Sequence, residues 1–384
     1  MSKIYFFTNI APHYRKSLWK QLLENTKCEC HFFYGENKAS GIPTIDFNQD
    51  EFSAYKKLLH PIKNLWFKSK VLVWQHGIMK ECFSDNFHTA VFLGEMYCFS
   101  TWLAAIICRI RGIKVAFWGH GLYGNEGKLK LFIRKLFYRL ADNLLLYERR
   151  SKQLMIEVGF KPENLYVVFN SLDYDTHKDL RSKFLHLTKE TVLHSFSNPN
   201  LLTFIFIGRL TIQKKLQLLI ESVKRLNDLH LTTNLLIIGD GPAMEELKHE
   251  GENGLKKDWL HFTGACYDEE EIGRYLFVSD LCVSPGNVGL TAIHSLSLGT
   301  PVCTHSNMKD QMPEAEAITD GYNGILFEEN NVQDLTLKIE TWLKTNTDRV
   351  KIREQCYEII DKYYNPTYQM SVINRLINNQ PPEI

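Results

Sequence analysis

Several features that would settle the class of this chain at once are missing from its sequence. No apolar run is long enough to cross a bilayer: the most apolar helical candidate, residues 96–107, is about a dozen residues long, where a span needs roughly twenty. No C-x-x-C pair occurs among the nine cysteines, and Cys28 and Cys30 are only two apart. An odd number of cysteines at irregular spacing reads as reduced, mostly buried thiols in a cytosol rather than a disulfide framework. There is no H-E-x-x-H helix, no short internal repeat and no low-complexity segment. The net charge is only +1, so no global excess of charge announces a nucleic-acid partner. The first apolar run, Ile4–Phe7, turns polar at Thr8-Asn9 and lacks both a signal-peptide core and a small-residue cleavage site. The expectation is a cytoplasmic protein without a membrane-spanning helix.

What is present is an ordinary globular composition, 44% hydrophobic and 23% charged, over 384 residues. That length suggests two domains or a single large one. The charge is unevenly spread. Residues 1–190 hold 28 Lys and Arg against 18 Asp and Glu, whereas residues 191–384 hold 17 against 26. A basic front half and an acidic back half point to two units with different partners, the basic one suited to an anionic ligand or an anionic membrane surface.

Short apolar runs alternate with helical patterns along both halves. The first half has runs at 4–8, 30–34, 71–74, 90–93, 115–118, 143–146 and 166–169. Residues 173–200 are polar and broken, and read as a connector. Alternation then restarts at 204–207, with a helix at 215–229 and further runs at 235–238, 261–263, 281–283 and 301–304. This rhythm predicts two doubly wound α/β units, each a parallel sheet covered on both faces. In such sheets ligands gather outside the carboxyl ends of the strands, so the loops there are where chemistry belongs.

Four such loops in the second half stand out. In Gly208-Arg209-Leu210, followed by Lys214 and Lys215, an arginine fork and a lysine point charge are spaced to grip a diphosphate. Gly239-Asp240-Gly241-Pro242 makes a tight turn into a helix, and Thr263-Gly264-Ala265 lets backbone approach a flat base. The fourth runs from Ser284 to Thr291 into a helix, where the N–H groups of Gly289, Leu290 and Thr291 point at an anion with help from the helix dipole.

Residues 200–330 resemble the donor-binding half of glycosyltransferase family 4, through Gly208-Arg209-Leu210, Gly239-Asp240-Gly241-Pro242, Ser284–Pro301 and Gly321–Phe327. The resemblance implies the GT-B fold, two Rossmann-like domains facing across a cleft that holds a nucleotide-sugar. On this pattern residues 1–172 form the acceptor domain with 366–384 packing back on it, residues 173–200 connect, and 201–365 form the donor domain. The implied activity is a retaining transfer that needs no metal and no cofactor. It moves a sugar from a nucleotide-diphosphate donor to a glycan, lipid-linked and destined for a cell-surface polysaccharide. Two other readings share the fold: a nucleotide-sugar 2-epimerase, and a subunit that binds nucleotide-sugar without catalysis.

The resemblance also implies roles. Arg209 and Lys214 bind the diphosphate and stabilise its developing charge. Lys215 stands where the family usually has glycine. The backbone of Gly289, Leu290 and Thr291 completes the phosphate cradle, and Gly286, Asn287 and Val288 face the transferred sugar. The family's pair of glutamates, E-x7-E, is absent: Gly286 stands at the first position and His294 at the second. His294 is expected to hydrogen-bond the ribose, and Asn287 to stand in for the missing carboxylate. In the first half, His120 in Trp118-Gly119-His120-Gly121 matches a strand-end histidine near the sugar. His13, Tyr14 and Arg15, after the first strand, are the acceptor candidates. Asp173-Tyr174-Asp175 has the spacing of a D-x-D metal motif but lies in the connector, so no metal site is expected. Residues 128–140 form a basic, aromatic stretch of helical period, suited either to anionic lipid or to covering the sheet.

Overall fold

The computed structural model describes residues 2–25, 27–35, 42–67, 71–84, 87–228 and 232–384. The chain divides into two units, Met1–Asp173 with Asn365–Ile384, and Tyr174–Tyr364.

In the first unit seven parallel strands make one sheet: β1 (Ser2–Thr8), β2 (Cys28–Tyr34), β3 (Leu59–Pro61), β6 (Thr89–Leu93), β7 (Lys114–Gly119), β8 (Asn143–Leu146) and β9 (Leu165–Val167), in the order β3-β2-β1-β6-β7-β8-β9. The inner strands are apolar along their length because helices cover both faces: all four side chains of β8 are buried. The covering helices are α1 (Lys16–Leu23), α2 (Ile78–Ser84), α3 (Phe99–Ile110), α4 (Lys128–Tyr138) and α5 (Arg149–Glu157). One expected strand of this sheet is elsewhere. β5 (Leu72–Gln75) pairs antiparallel with β4 (Asn64–Phe67) in a separate ribbon. Only four residues separate the two strands, whereas a parallel neighbour needs a crossover of a dozen or more.

The second unit holds six parallel strands: β10 (Leu202–Ile207), β11 (Thr233–Ile238), β12 (Leu260–Gly264), β13 (Leu281–Ser284), β14 (Val302–His305) and β15 (Gly324–Phe327), ordered β12-β11-β10-β13-β14-β15. Its helices are α6 (Tyr174–Lys183), α7 (Lys189–Val192), α8 (Leu216–Asp228), α9 (Met244–Glu250), α10 (Glu252–Lys256), α11 (Glu269–Val278), α12 (Leu290–Ser297), α13 (Val332–Thr345) and α14 (Arg349–Lys362). α8 buries Leu216, Leu219, Ile220, Val223 and Leu226, a stripe at helical spacing that fixes it on the sheet. Its expected last residue, Leu229, lies outside the described residues. Asp268 caps α11, its side chain accepting from the Glu271 N–H, and three glutamates in the first turn complement the positive end of the helix dipole.

The polar stretch expected as a connector is folded into this unit. α6 buries His177, Leu180 and Arg181. Arg181 reaches the interior because its guanidinium pairs with both Asp361 oxygens at 2.9 and 3.0 Å, donates to the Ser297 carbonyl at 2.7 Å and lies 4.0 Å over the Tyr357 ring. The last helix, α15 (Pro366–Ile377), belongs to the first unit. There Gln369 bonds Ser171 Oγ and the Phe169 carbonyl, and Tyr368 Oη donates to the carbonyl of Val167.

Candidate functional site

Both sheets reverse strand order part-way: the chain builds outward from β1 to β3 and from β10 to β12, then returns beside the starting strand. The loops after β1 and β6, and after β10 and β13, therefore flank a switch point, where parallel sheets hold ligands.

In the first unit the structure brings together Arg15 and His120. Arg15 Nη2 donates to Tyr147 Oη at 2.6 Å and to Asn170 Oδ1 at 3.3 Å, and its guanidinium lies 4.9 Å over the Trp118 ring. The His120 ring stands edge-on to Tyr147, centroids 4.9 Å apart. Burial, then the Arg15 and Arg134 charges, push its pKa down to about 4, so the imidazole is neutral at physiological pH. Ser151 Oγ fixes the loop by donating to the His120 carbonyl at 2.6 Å. Tyr14 lies beneath Arg15, its ring 5.9 Å from the guanidinium carbon. His13 is exposed and stands edge-on to the Tyr14 ring, centroids 5.9 Å apart; its Nδ1 lies 3.3 Å from the Pro43 carbonyl.

In the second unit the loops after β10 and β13 are stitched together. Gly286 N–H donates to the Lys214 carbonyl at 3.0 Å, and Lys214 Nζ donates to the backbone and side-chain oxygens of Asn287 at 2.7 and 2.9 Å. Thr291 Oγ1 donates to the Ile207 carbonyl at 3.2 Å. Burial draws the Lys214 pKa below the ordinary lysine value, and the nearby Glu314 charge opposes that shift. Arg209, one residue past the strand-end Gly208, is exposed and makes no hydrogen bond or ion pair among the described residues. α12 begins at Gly289 with no side-chain cap, which leaves its first N–H groups to the adjoining space.

Of the two adjacent lysines, only Lys214 points its ammonium into this loop. Lys215 pairs with Glu329 at 2.5 Å and has a left-handed backbone, φ 52°. That conformation is what glycine adopts without cost.

Sequence reasoning passed over Gln311, Thr304 and Glu329. Gln311 Oε1 accepts from the Val288 N–H at 2.8 Å while its amide bonds Thr304 Oγ1, which in turn donates to the carbonyls of Ser284 and Gly286. These partners come from β14 and beyond, so no local motif announces them.

Comparison with known proteins agrees with this geometry. Residues 193–359 match the family model described as glycosyl transferases group 1. The second unit is a group 1 glycosyltransferase domain. An uncharacterized glycosyltransferase of Methanocaldococcus jannaschii is 23% identical over 246 residues, 62% of this chain and 60% of that protein. A GDP-mannose-dependent alpha-(1-6)-phosphatidylinositol dimannoside mannosyltransferase of Mycobacterium tuberculosis is 30% identical over 113 residues, 29% of each. The matches thus span less than two thirds of either relative. Among solved structures, Anabaena HepE in complex with UDP superposes with a TM-score of 0.71 at 14% identity, covering 98% of this chain and 100% of that one. The fold is GT-B, with two Rossmann-like units.

The glycosyltransferase domain departs from its family pattern at two buried places. A Cβ on Gly286 would fall on the Gln213 carbonyl oxygen and 2.8 Å from Lys214 Cα, so the loop is built for a residue without a side chain. His294 lies along α12 with its ring against His177 of α6, centroids 4.7 Å apart.

Proposed function

We propose that the chain is a retaining, metal-independent glycosyltransferase that moves a sugar from a nucleotide-diphosphate sugar to a lipid-linked glycan on the cytoplasmic face of a membrane, for a cell-surface polysaccharide. The observation that carries this is the conjunction, at one switch point of a group 1 glycosyltransferase domain, of exposed Arg209, Lys214 and the uncapped start of α12 at Gly289, Leu290 and Thr291. Each presents positive charge or N–H donors to a diphosphate, and together they stabilise the charge that builds on it as the glycosidic bond breaks. On this reading the sugar carbon loses its bond to the diphosphate oxygen and gains one to the acceptor oxygen on the same face. The leaving phosphate takes the acceptor proton, so no strong side-chain base is needed. Gly286 contributes only backbone, and the Asn287 amide, held by Lys214, serves the sugar. His120, neutral at its strand end, and Arg15 serve the acceptor side.

A lipid-linked acceptor draws support from the surface of the first unit. α3 exposes Phe99, Leu103, Ile106 and Ile110, and α4 exposes Leu129 and Phe132. The helices are neighbours, since Trp102 and Phe137 meet at 5.0 Å. Lys128, Lys130 and Arg139 are exposed on the same helical stretch. An apolar face beside basic residues suits an anionic bilayer surface. Sedimentation with vesicles of phosphatidylglycerol and phosphatidylcholine tests it. Leu129→Glu with Phe132→Glu should abolish binding that phosphatidylcholine alone does not support; undiminished binding removes this face from the reading.

The function itself is tested by thermal shift against UDP, GDP, ADP, dTDP, CMP and their sugars, followed by transfer assays with the donor that binds. Ligand binding to the native state raises stability by RT ln(1 + [L]/Kd). A selective rise with transfer supports the proposal. A rise without transfer to any lipid-linked glycan favours the binding-subunit reading, which the absence of a side chain at Gly286 keeps open. No rise defeats both.

A further inference from the structure

Three side chains of the second unit converge, one of them His294, which the family pattern puts at the ribose. Glu269 Oε2, in the first turn of α11, lies 3.3 Å from His177 Nε2 of α6 and 3.3 Å from His294 Nε2 of α12. All three atoms lie within 4.8 Å of one another. Both histidines are buried, 1% and 9% exposed, while the Glu269 side chain is 44% exposed, so the cluster opens to water on its carboxylate side. His294 Nε2 is buried and makes no hydrogen bond among the described residues.

We propose that His177, Glu269 and His294 form a site for a zinc-class divalent cation that clamps α6 and α11 to α12. Two imidazoles and a carboxylate are a donor set that zinc accepts, with a fourth position left to water. The spacing argues the same way. Bonds of about 2.0–2.1 Å in tetrahedral geometry place neighbouring donors about 3.3 Å apart, which is the separation seen on both sides of Glu269. Direct charge-assisted hydrogen bonds would draw nitrogen and oxygen to about 2.7–2.9 Å. The clamp acts on α12, whose other end opens the loop of Gly289, and it requires neither a nucleotide nor an acceptor.

The test uses the full chain, stripped with a chelator and titrated with zinc alone, then with cobalt alone. One equivalent of zinc should bind and raise the melting temperature. Cobalt should give the visible absorption of a four-coordinate nitrogen–oxygen site without a thiolate charge-transfer band. Glu269→Gln, at a half-exposed position that tolerates the change, should weaken zinc binding at least tenfold, and so should His294→Gln. Cys266→Ser, which removes the one cysteine that is not fully buried, should change nothing. Equal affinity in the wild type and Glu269→Gln overturns the proposal, as does a thiolate band lost in Cys266→Ser or the absence of stoichiometric binding. Should His294→Gln fail to fold, the Glu269→Gln comparison decides alone.

Discussion

Gly286 offers the sharpest test of how the β13 loop is built. Replacing it with alanine adds one methyl group, which would overlap the Gln213 carbonyl oxygen and stand 2.8 Å from Lys214 Cα. Both are backbone, so no side chain can swing aside, and the turn at 212–214 or the loop must move by roughly an ångström. Overpacking of this kind costs about 1–3 kcal/mol. The same movement lengthens the 3.0 Å bond from Gly286 N–H to the Lys214 carbonyl, worth about 1 kcal/mol. A loss of about 2–4 kcal/mol corresponds to a drop of about 5–10 °C in the melting of this unit. Differential scanning calorimetry measures it, with Gly127→Ala as the control: nothing lies within 4 Å of a Cβ there, and its φ of −65° suits alanine. Gly286→Glu, which writes the family's first glutamate back in, should lose more stability and gain no activity. A Gly286→Ala protein with unchanged melting and unchanged nucleotide binding would refute the close packing of loop on turn.

Three further outcomes are expected. Arg209→Ala should weaken nucleotide-diphosphate binding by about 1.5–3 kcal/mol, read by calorimetric titration, since one charged hydrogen-bonding group is lost and no folded partner is disturbed; unchanged affinity removes it from the diphosphate. His120→Ala should cut turnover sharply and leave nucleotide affinity near wild type, so full turnover would exclude His120 from the sugar or acceptor side. His120 also makes stability pH-dependent. Its pKa is about 4 when folded against an ordinary 6.5, so the unfolded chain binds the extra proton between those values, and stability falls as pH drops from 6.5 toward 4. The loss is at most about 3 kcal/mol, and urea unfolding of His120→Asn should show a shallower fall over that window than the wild type.

Much of the architecture was legible because parallel strands buried on both faces write themselves as apolar runs, and the four strand-end loops sit where those runs stop. What escaped prediction did so for physical reasons. β5 is as apolar as its parallel neighbours, and only its four-residue separation from β4 betrays the antiparallel ribbon. α6 buries His177 and also Arg181, the arginine held by Asp361 and Ser297 more than a hundred residues away, so a search for apolar periodicity sees a polar linker. Gln311 and Glu329 hold the site through bonds across the sheet, invisible to any local spacing.

The two departures from the family pattern next to Lys214 also explain one another. A side chain at 286 would occupy the space that the 212–214 turn now fills. With glycine there, the turn closes onto the loop, and Lys214 can bury its ammonium against Asn287. One residue on, the chain must leave that turn through a left-handed conformation, which Lys215 adopts at a cost of about 1–2 kcal/mol that glycine would avoid. Its ion pair with Glu329 offsets part of that cost. On the proposed function, the exchange replaces a carboxylate beside the sugar with a neutral amide fixed by a cation. A donor site of this kind selects its sugar through hydrogen-bond direction rather than through negative charge. Asn287→Asp, which keeps the shape and adds the charge, should therefore strengthen the grip on Lys214 while disturbing transfer more than nucleotide binding.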